Sequence, residues 1–303
     1  MRNSLFSRKR FIALLSMGVT TLGMSPLKLF SRYQNKMTGK VDLGDTGLSV
    51  SPLCFGASRT QDTTLMRYAL DQGINFIDTG RSYANGKNEE LVGKVIREDR
   101  QRFIIQTKAR LRDVELTGKN RVSDKKIEDI LTRELEGSLQ ALKTDYVDIL
   151  LMHGVDKNEQ LTHPAVRKFF EKMKNRGMVR AAGFSAHRNQ LQLLQTNNRD
   201  FFFRVVMVPF NPSGEFVHSR SGWHAAWDQQ VIGKELARAR EHGVGTLAMK
   251  TCSGGPHQPE KSNHASYHHA VKWVLERDFI DAAAVAMTSF TEIDDILGIN
   301  THF

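Results

Sequence analysis

Four polar residues carry the chemistry that can be read from this 303-residue chain: Asp78, Tyr83, Lys108 and His153. Each stands at or just after the C-terminal end of a short apolar run, the runs being 75–77, 103–105 and 147–152. An oxygen that gains electrons needs a proton donor and a field that stabilises its new charge. A phenol beside an ammonium suits that task, because the cation favours phenolate and draws the tyrosine pKa down from about 10. Asp78 can keep Lys108 charged and aimed, since a close carboxylate offsets the cost of burying an ammonium. His153 can donate a hydrogen bond to the same oxygen or assist proton delivery. Alone, each residue reads as structural: a cap, a half-buried aromatic, a surface charge. Taken in order, within D-T-x-x-x-Y and L-x-x-H contexts, they read as one site.

The elements that must position them are short apolar strands alternating with amphipathic helices, the signature of α/β architecture with parallel strands. Strands are expected near 51–55, 74–78, 103–108, 146–152, 179–184, 204–208, 245–249 and 282–287. Eight strands close a (β/α)8 barrel, whose strand ends converge on one face. Before them, Lys40 to Val50 reads as a β-hairpin around Asp45-Thr46-Gly47, placed to plug the barrel floor. Ile127, Leu131, Leu135, Leu139 and Leu142 share one face of a helix with Ser123 as N-cap. Phe169, Phe170 and Met173 do the same before Gly177 stops the next helix. The stretch 211–230, with Phe216, Trp223, His224 and Trp227, is long for a loop in a compact domain. It is expected either to cover a ligand or to form a satellite packing cluster.

The segments "INFIDTGRSYANGKNEELVG" from Ile74, "QTK" ending at Lys108, "DILLMHG" around His153 and "VRAAGFS" ending at Ser185 resemble the aldo-keto reductase family. The resemblance runs from about Lys40 to Leu297, and the Met-Lys pair after the seventh strand, with "FSAH" after the fifth, is similar to one branch of it. It implies a TIM barrel with an N-terminal β-hairpin. It further implies an oxidoreductase that reduces an aldehyde or ketone, or oxidises an alcohol, by hydride transfer with NADP or NAD. Tyr83 would be the general acid or base, with the nicotinamide end near Ser185 and the diphosphate near Lys250.

No G-x-G-x-x-G follows a strand, so a Rossmann site is not expected. Barrels instead hold phosphates around the loops after strands seven and eight, here "LAMKTCSGG" from Leu247 and "AMTSFTEIDD" from Ala286. Lys250 with Ser253 and Gly254 offers a cation and approachable backbone amides. Thr288 and Ser289 open a helix whose free N–H groups suit an anion. Three positions depart from the better-known members of the family: Ala186, Met207 and Met249 stand where those carry Asn, Gln and Tyr. The last helix opens with Glu292, Asp294 and Asp295 and no cation to clasp a 2′-phosphate, which weakens NADP relative to NAD. Two other functions compete: a catalytically weak nucleotide-binding accessory protein of the same fold, and a glycoside hydrolase. The hydrolase would need two opposed carboxylates at strand ends, and only Asp78 is clearly so placed.

The formal net charge is +10, with 43 Lys and Arg against 33 Asp and Glu. Residues 1–40 hold eight of the basic groups and no acid, leaving 35 against 33 elsewhere. The excess therefore belongs to a leader, which argues against a nucleic-acid surface. Residues 1–37 read as an export signal: Ser7-Arg8-Lys9-Arg10-Phe11 approaches the twin-arginine pattern, and the apolar run 11–24 falls short of the ~20 residues of a spanning helix. Periplasmic or other export is the expectation, with a cytoplasmic protein as the alternative and membrane contact only through the leader. Residues 38–303 form the barrel. Cys54 and Cys252 are expected to be unpaired thiols, and no metal-ligand spacing occurs; His268 and His269 diverge on a helix. The substrate is a small carbonyl compound or alcohol that the sequence does not specify.

Overall fold

A computed structural model of the chain describes residues 37–111, 114–217 and 222–299. The expected leader lies outside these residues except for Met37, which is buried in the core.

The hairpin forms from β1 (Val41–Asp42) and β2 (Ser49–Val50), paired antiparallel. Its Leu43 and Leu48 are fully buried against the inward side chains of the barrel, so the hairpin plugs the floor. Asp45 N donates to Gly243 O at 2.8 Å, fixing the plug to the chain just before the seventh barrel strand.

The barrel strands are β3 (Leu53–Gly56), β4 (Phe76–Asp78), β5 (Ile104–Ala109), β6 (Val147–Met152), β7 (Val179–Ser185), β8 (Val205–Pro209), β11 (Gly245–Met249) and β12 (Ala282–Ala286). All pair in parallel, and the sheet closes in the order β11-β12-β3-β4-β5-β6-β7-β8. Each of the eight expected strands is present. The expected loop at 211–230 contains a further hairpin, β9 (Glu215–Val217) with β10 (His224–Ala226). Three-residue strands carry too few residues for a period to show.

Between strands run α1 (Thr63–Asp71), α2 (Lys87–Ile96), α3 (Asp124–Leu142), α4 (Glu159–Thr162), α5 (Pro164–Asn175), α6 (Gln190–Asn197), α7 (Gln229–Glu241), α8 (Tyr267–Leu275) and α9 (Phe290–Leu297). Ser123 caps α3 by accepting from Lys126 N, and the five-residue apolar stripe of α3 is buried. Pro164 opens α5, where a missing N–H costs nothing, and Gly177 follows its end at φ +71°.

Two apolar clusters result. Outward strand residues such as Phe55, Ile77, Ile105 and Leu150 pack against the helices; inward ones such as Cys54, Phe76, Ile104 and Leu151 fill the barrel above the plug. The alternation follows from the period of two along a strand.

Candidate active site at the barrel mouth

Strand parity brings the four chemical residues together. On β5, Gln106 and Lys108 share the inward parity of Ile104; on β4, Asp78 shares that of Phe76; His153 continues the inward series Ile149 and Leu151 just past the end of β6. Tyr83 comes from the turn after β4.

Lys108 Nζ forms an ion pair with Asp78 Oδ1 and donates to Thr79 O at 2.7 Å. Gln106 Nε2 donates to the same Asp78 oxygen at 2.6 Å and to Met207 Sδ at 3.5 Å. Asp78, Gln106 and Lys108 are all buried. The ammonium lies 4.9 Å from the centre of the Tyr83 ring, whose edge meets the His153 ring at a centroid distance of 5.7 Å. Ser82 Oγ stands 3.3 Å from His153 Nδ1.

The electrostatics correct one expectation. Burial pushes the Tyr83 phenol above its ordinary pKa; Lys108 opposes this without overcoming it, and Asp78 adds to the rise. Burial likewise disfavours the Lys108 ammonium, but the attraction of Asp78 and Tyr83 prevails, and the lysine pKa is raised. A protonated phenol beside a persistent ammonium is thus the form at neutral pH, a form that can donate a proton.

The Tyr83 turn is braced from behind. Tyr83 N donates to Gly80 O at 2.9 Å, and Ala84 and Asn85 follow in the left-handed region at φ 47° and 54°. Such conformations cost on the order of 1–3 kcal/mol each and persist only where surroundings hold them. Arg81 supplies the hold, with Nη1 donating to Glu89 Oε2 at 2.6 Å and to Gly137 O at 3.0 Å. Thr107 Oγ1 donates to Glu89 Oε1 at 2.5 Å, tying this brace to β5. A Cβ at Gly86, whose φ is +89°, would sit 1.5 Å from Arg81 Nη2, so only glycine lets the guanidinium pass.

The expected cofactor residues ring the same mouth. Ser185 is buried, its Oγ accepting from Gly154 N at 3.3 Å and donating to Met152 O at 3.4 Å. Met207 and Met249 belong to the inner cluster, and Gln106 links Met207 to Asp78. Lys250 N–Cα is left-handed at φ 59°, and its ammonium lies 5.0 Å from the Phe216 ring centre. Burial and the nearby charge of Arg59 lower the Lys250 pKa, and Lys250 forms no ion pair among the described residues. Arg59 likewise forms no ion pair among the described residues, and two such cations suit a diphosphate. Ser253 N donates to Lys250 O at 3.0 Å, and a Cβ at Gly254 would lie 2.1 Å from Ser213 Oγ. The hydroxyls of Thr60 and Thr251 are buried without a hydrogen-bond partner among the described residues.

A cleft of about 510 Å³ separates the loop after β3, with Arg59 and Thr60, from Thr288, Ser289 and Phe290 at the start of α9. The expected free N–H groups at this helix start are in part committed. Ser289 Oγ accepts from Glu292 N at 3.1 Å, and Glu292 Oε2 accepts from Thr288 N at 2.7 Å. The chain's own carboxylate is the anion here.

The β9–β10 hairpin packs as an aromatic cluster: Phe216 is buried, with ring centroids 5.1 Å from Trp223 and 6.4 Å from Trp227. Arg188, after β7, stacks on Trp223 at 4.3 Å, while Lys250 approaches Phe216, so the hairpin joins the rims of two strands. Cys54 and Cys252 are both free thiols; burial, then Asp295 and Glu292, push Cys252 up to about 12.

Sequence reasoning passed over Gln106, Arg59 and the Arg81–Glu89 brace. Gln106 was discoverable, since a polar residue two before Lys108 must share its inward face. Nothing local marks Arg59.

The aldo/keto reductase family model matches residues 53–269. The uncharacterized oxidoreductase YqkF of Bacillus subtilis is 31% identical over 160 residues, covering 50% of this chain and 47% of that protein. The aldo-keto reductase YhdN of the same organism is 31% identical over 156 residues, 47% of this chain and 45% of its own. The chain spans about half the length of these curated relatives. The holo form of aldo-keto reductase AKR11C1 from Bacillus halodurans superposes with TM-score 0.65 at 22% identity, over 86% of this chain and 89% of that one. At that identity the likeness speaks for the fold alone.

Proposed function

Because the chain belongs to the aldo/keto reductase family, we propose that it is an oxidoreductase that reduces an aldehyde or ketone, or oxidises the corresponding alcohol, with a nicotinamide cofactor. The observation that carries this reading is Lys108, buried between the carboxylate of Asp78 and the ring of Tyr83, with His153 against the same ring. The cofactor, when bound, supplies or accepts the hydride. Lys250 and Arg59 would hold its diphosphate, and Ser185, Met207 and Met249 would border its reacting end.

Tyr83 donates its proton to the carbonyl oxygen as charge develops there. Lys108 stabilises the phenolate left behind, and its own charge is kept by Asp78, which Gln106 orients. His153 donates a hydrogen bond to the same oxygen, sharing the new charge. The buried surroundings of Asp78 and Lys108 strengthen each of these interactions relative to water.

A purified sample titrated with NADH or NADPH and then given a reactive aldehyde tests this. Binding followed by one equivalent of cofactor oxidation supports the oxidoreductase; binding without oxidation favours the accessory-protein alternative.

We also propose that residues 1–37 direct export of the folded chain, on the strength of the Arg8-Lys9 motif and the short apolar run that follows. Fractionation of cells expressing the full chain, with and without Arg8→Gln and Lys9→Gln, checks it. The proposal requires the unaltered protein outside the cytoplasm and the variants retained.

A further inference from the structure

We propose that this chain selects NAD(H) over NADP(H), and that Glu292 is the residue that excludes the 2′-phosphate. The inference rests on the nicotinamide reading above and adds the identity of the nucleotide.

The reacting end of the cofactor must lie at Tyr83 and its diphosphate at Lys250 and Arg59. The adenosine half is then directed to the cleft between the loop after β3 and the start of α9, whose 510 Å³ suits a nucleoside-sized group. The lining is built for such a group. Phe290 is exposed, backed edge-to-face by Tyr68 at 5.1 Å, and presents a flat apolar surface to a base. Thr60, also in the lining, is 96% buried with its hydroxyl unpartnered, and a buried polar atom of that kind calls for a ligand group.

The rim decides between a ribose hydroxyl and a phosphate. A helix N-terminus ordinarily attracts a phosphate through its free N–H groups. At α9 that role is taken by Glu292, which accepts from Thr288 N at 2.7 Å and Thr288 Oγ1 at 2.8 Å. Glu292 N and Ile293 N are spent on Ser289, at 3.1 Å and 3.2 Å. Asp294 is committed to Tyr68 Oη at 2.6 Å. Glu292 and Asp295 both act, after burial, on the thiol of Cys252 in the loop after β11, so their field covers the phosphate side of the rim as well as solvent. Residues Phe290–Leu297 contain no Lys or Arg. Arg59 lines the cleft from the loop after β3, across from α9, and its charge reaches Lys250, so in this reading it serves the diphosphate rather than the ribose. A 2′-phosphate dianion would therefore meet a carboxylate that already holds Thr288 N and Thr288 Oγ1, whereas a 2′-hydroxyl can donate to that carboxylate.

The full chain is titrated separately with NADH and NADPH by calorimetry, alongside Glu292→Gln, which can still accept from Thr288, and Glu292→Lys. Wild type is expected to bind NADH at least about tenfold more tightly, which corresponds to about 1.4 kcal/mol. The Lys variant is expected to cut that ratio by about tenfold or more, through weaker NADH binding, tighter NADPH binding or both, and the Gln variant to narrow it less. Should the Lys variant fail to fold, the narrowing in Gln carries the test. Equal or tighter NADPH binding by wild type, or a ratio unchanged in both variants, overturns this inference alone. Binding of neither nucleotide overturns the nicotinamide reading and this inference with it.

Discussion

At each end of the barrel a buried carboxylate meets cations, and the two sites are built differently. At the N-terminal end Asp148 accepts from Arg100 Nη2 and Arg180 Nη1, both at 2.8 Å, and from Ile105 N at 2.9 Å. Both carboxylate oxygens are committed to planar, permanently charged guanidinium groups and to backbone. At the C-terminal end Asp78 takes Lys108 and Gln106 through a single oxygen, and its cation is a compact ammonium that also faces the Tyr83 ring. Arginine forks are pre-organised for fixed pairing, while lysine concentrates its charge at one atom that a developing phenolate can use. The same ion-pair chemistry thus locks one end and serves a reaction at the other.

This contrast can be broken by substitution. The largest effect is expected from Lys108→Met: turnover falls by about 10²–10⁴, the range of positioned acid–base groups, and stability falls by about 3–5 kcal/mol because Asp78 is left buried without its cation. Rate measurements beside denaturant melts check both. Asp148→Ala is expected to cost a similar 3–5 kcal/mol of stability, yet to leave turnover per folded molecule unchanged; a loss of turnover there would erase the distinction between the ends. Combining Asp78→Asn with Lys108→Met sharpens it. Removing both charges should recover stability to within about 1–2 kcal/mol of wild type, without recovering turnover.

The smallest effect expected is on pH dependence. Because burial raises the Tyr83 pKa and Asp78 keeps Lys108 charged, the phenol holds its proton below about pH 10. Carbonyl reduction should therefore stay flat through neutrality and fall only as pH rises past the tyrosine pKa. Alcohol oxidation, which needs phenolate as base, should climb with pH over the same interval. A reduction rate already halved by about pH 8 would show that a different group donates the proton.

Much of this architecture was legible before the fold was known, for identifiable reasons. Barrel strands are short apolar runs with helices between them, and the period of two carries Asp78, Lys108 and His153 to the inner face without any long-range information. Tyr83 was legible only as a neighbour of Asp78, since its left-handed turn depends on Arg81, and Arg81 depends on Glu89, Gly137 and the gap at Gly86. Such a brace spans α2, α3 and β5 and leaves no local pattern. At α9 the letters Ser289-x-x-Glu292 fit two structures, a helix start open to an anion and one closed by its own glutamate. Only the fold distinguishes them, and it adopts the closed form. The net direction of the Tyr83 shift was likewise beyond sequence, because burial and Lys108 act oppositely and their balance depends on packing.

The central claim is that the Tyr83 hydroxyl delivers the proton within a site otherwise complete without it. Single-turnover reduction of an aldehyde by Tyr83→Phe, with nucleotide already bound, tests it most directly. The account predicts nucleotide affinity within about twofold of wild type and a rate lower by about 10²–10⁴. A variant that binds nucleotide normally and reduces the aldehyde at close to the wild-type rate would contradict it.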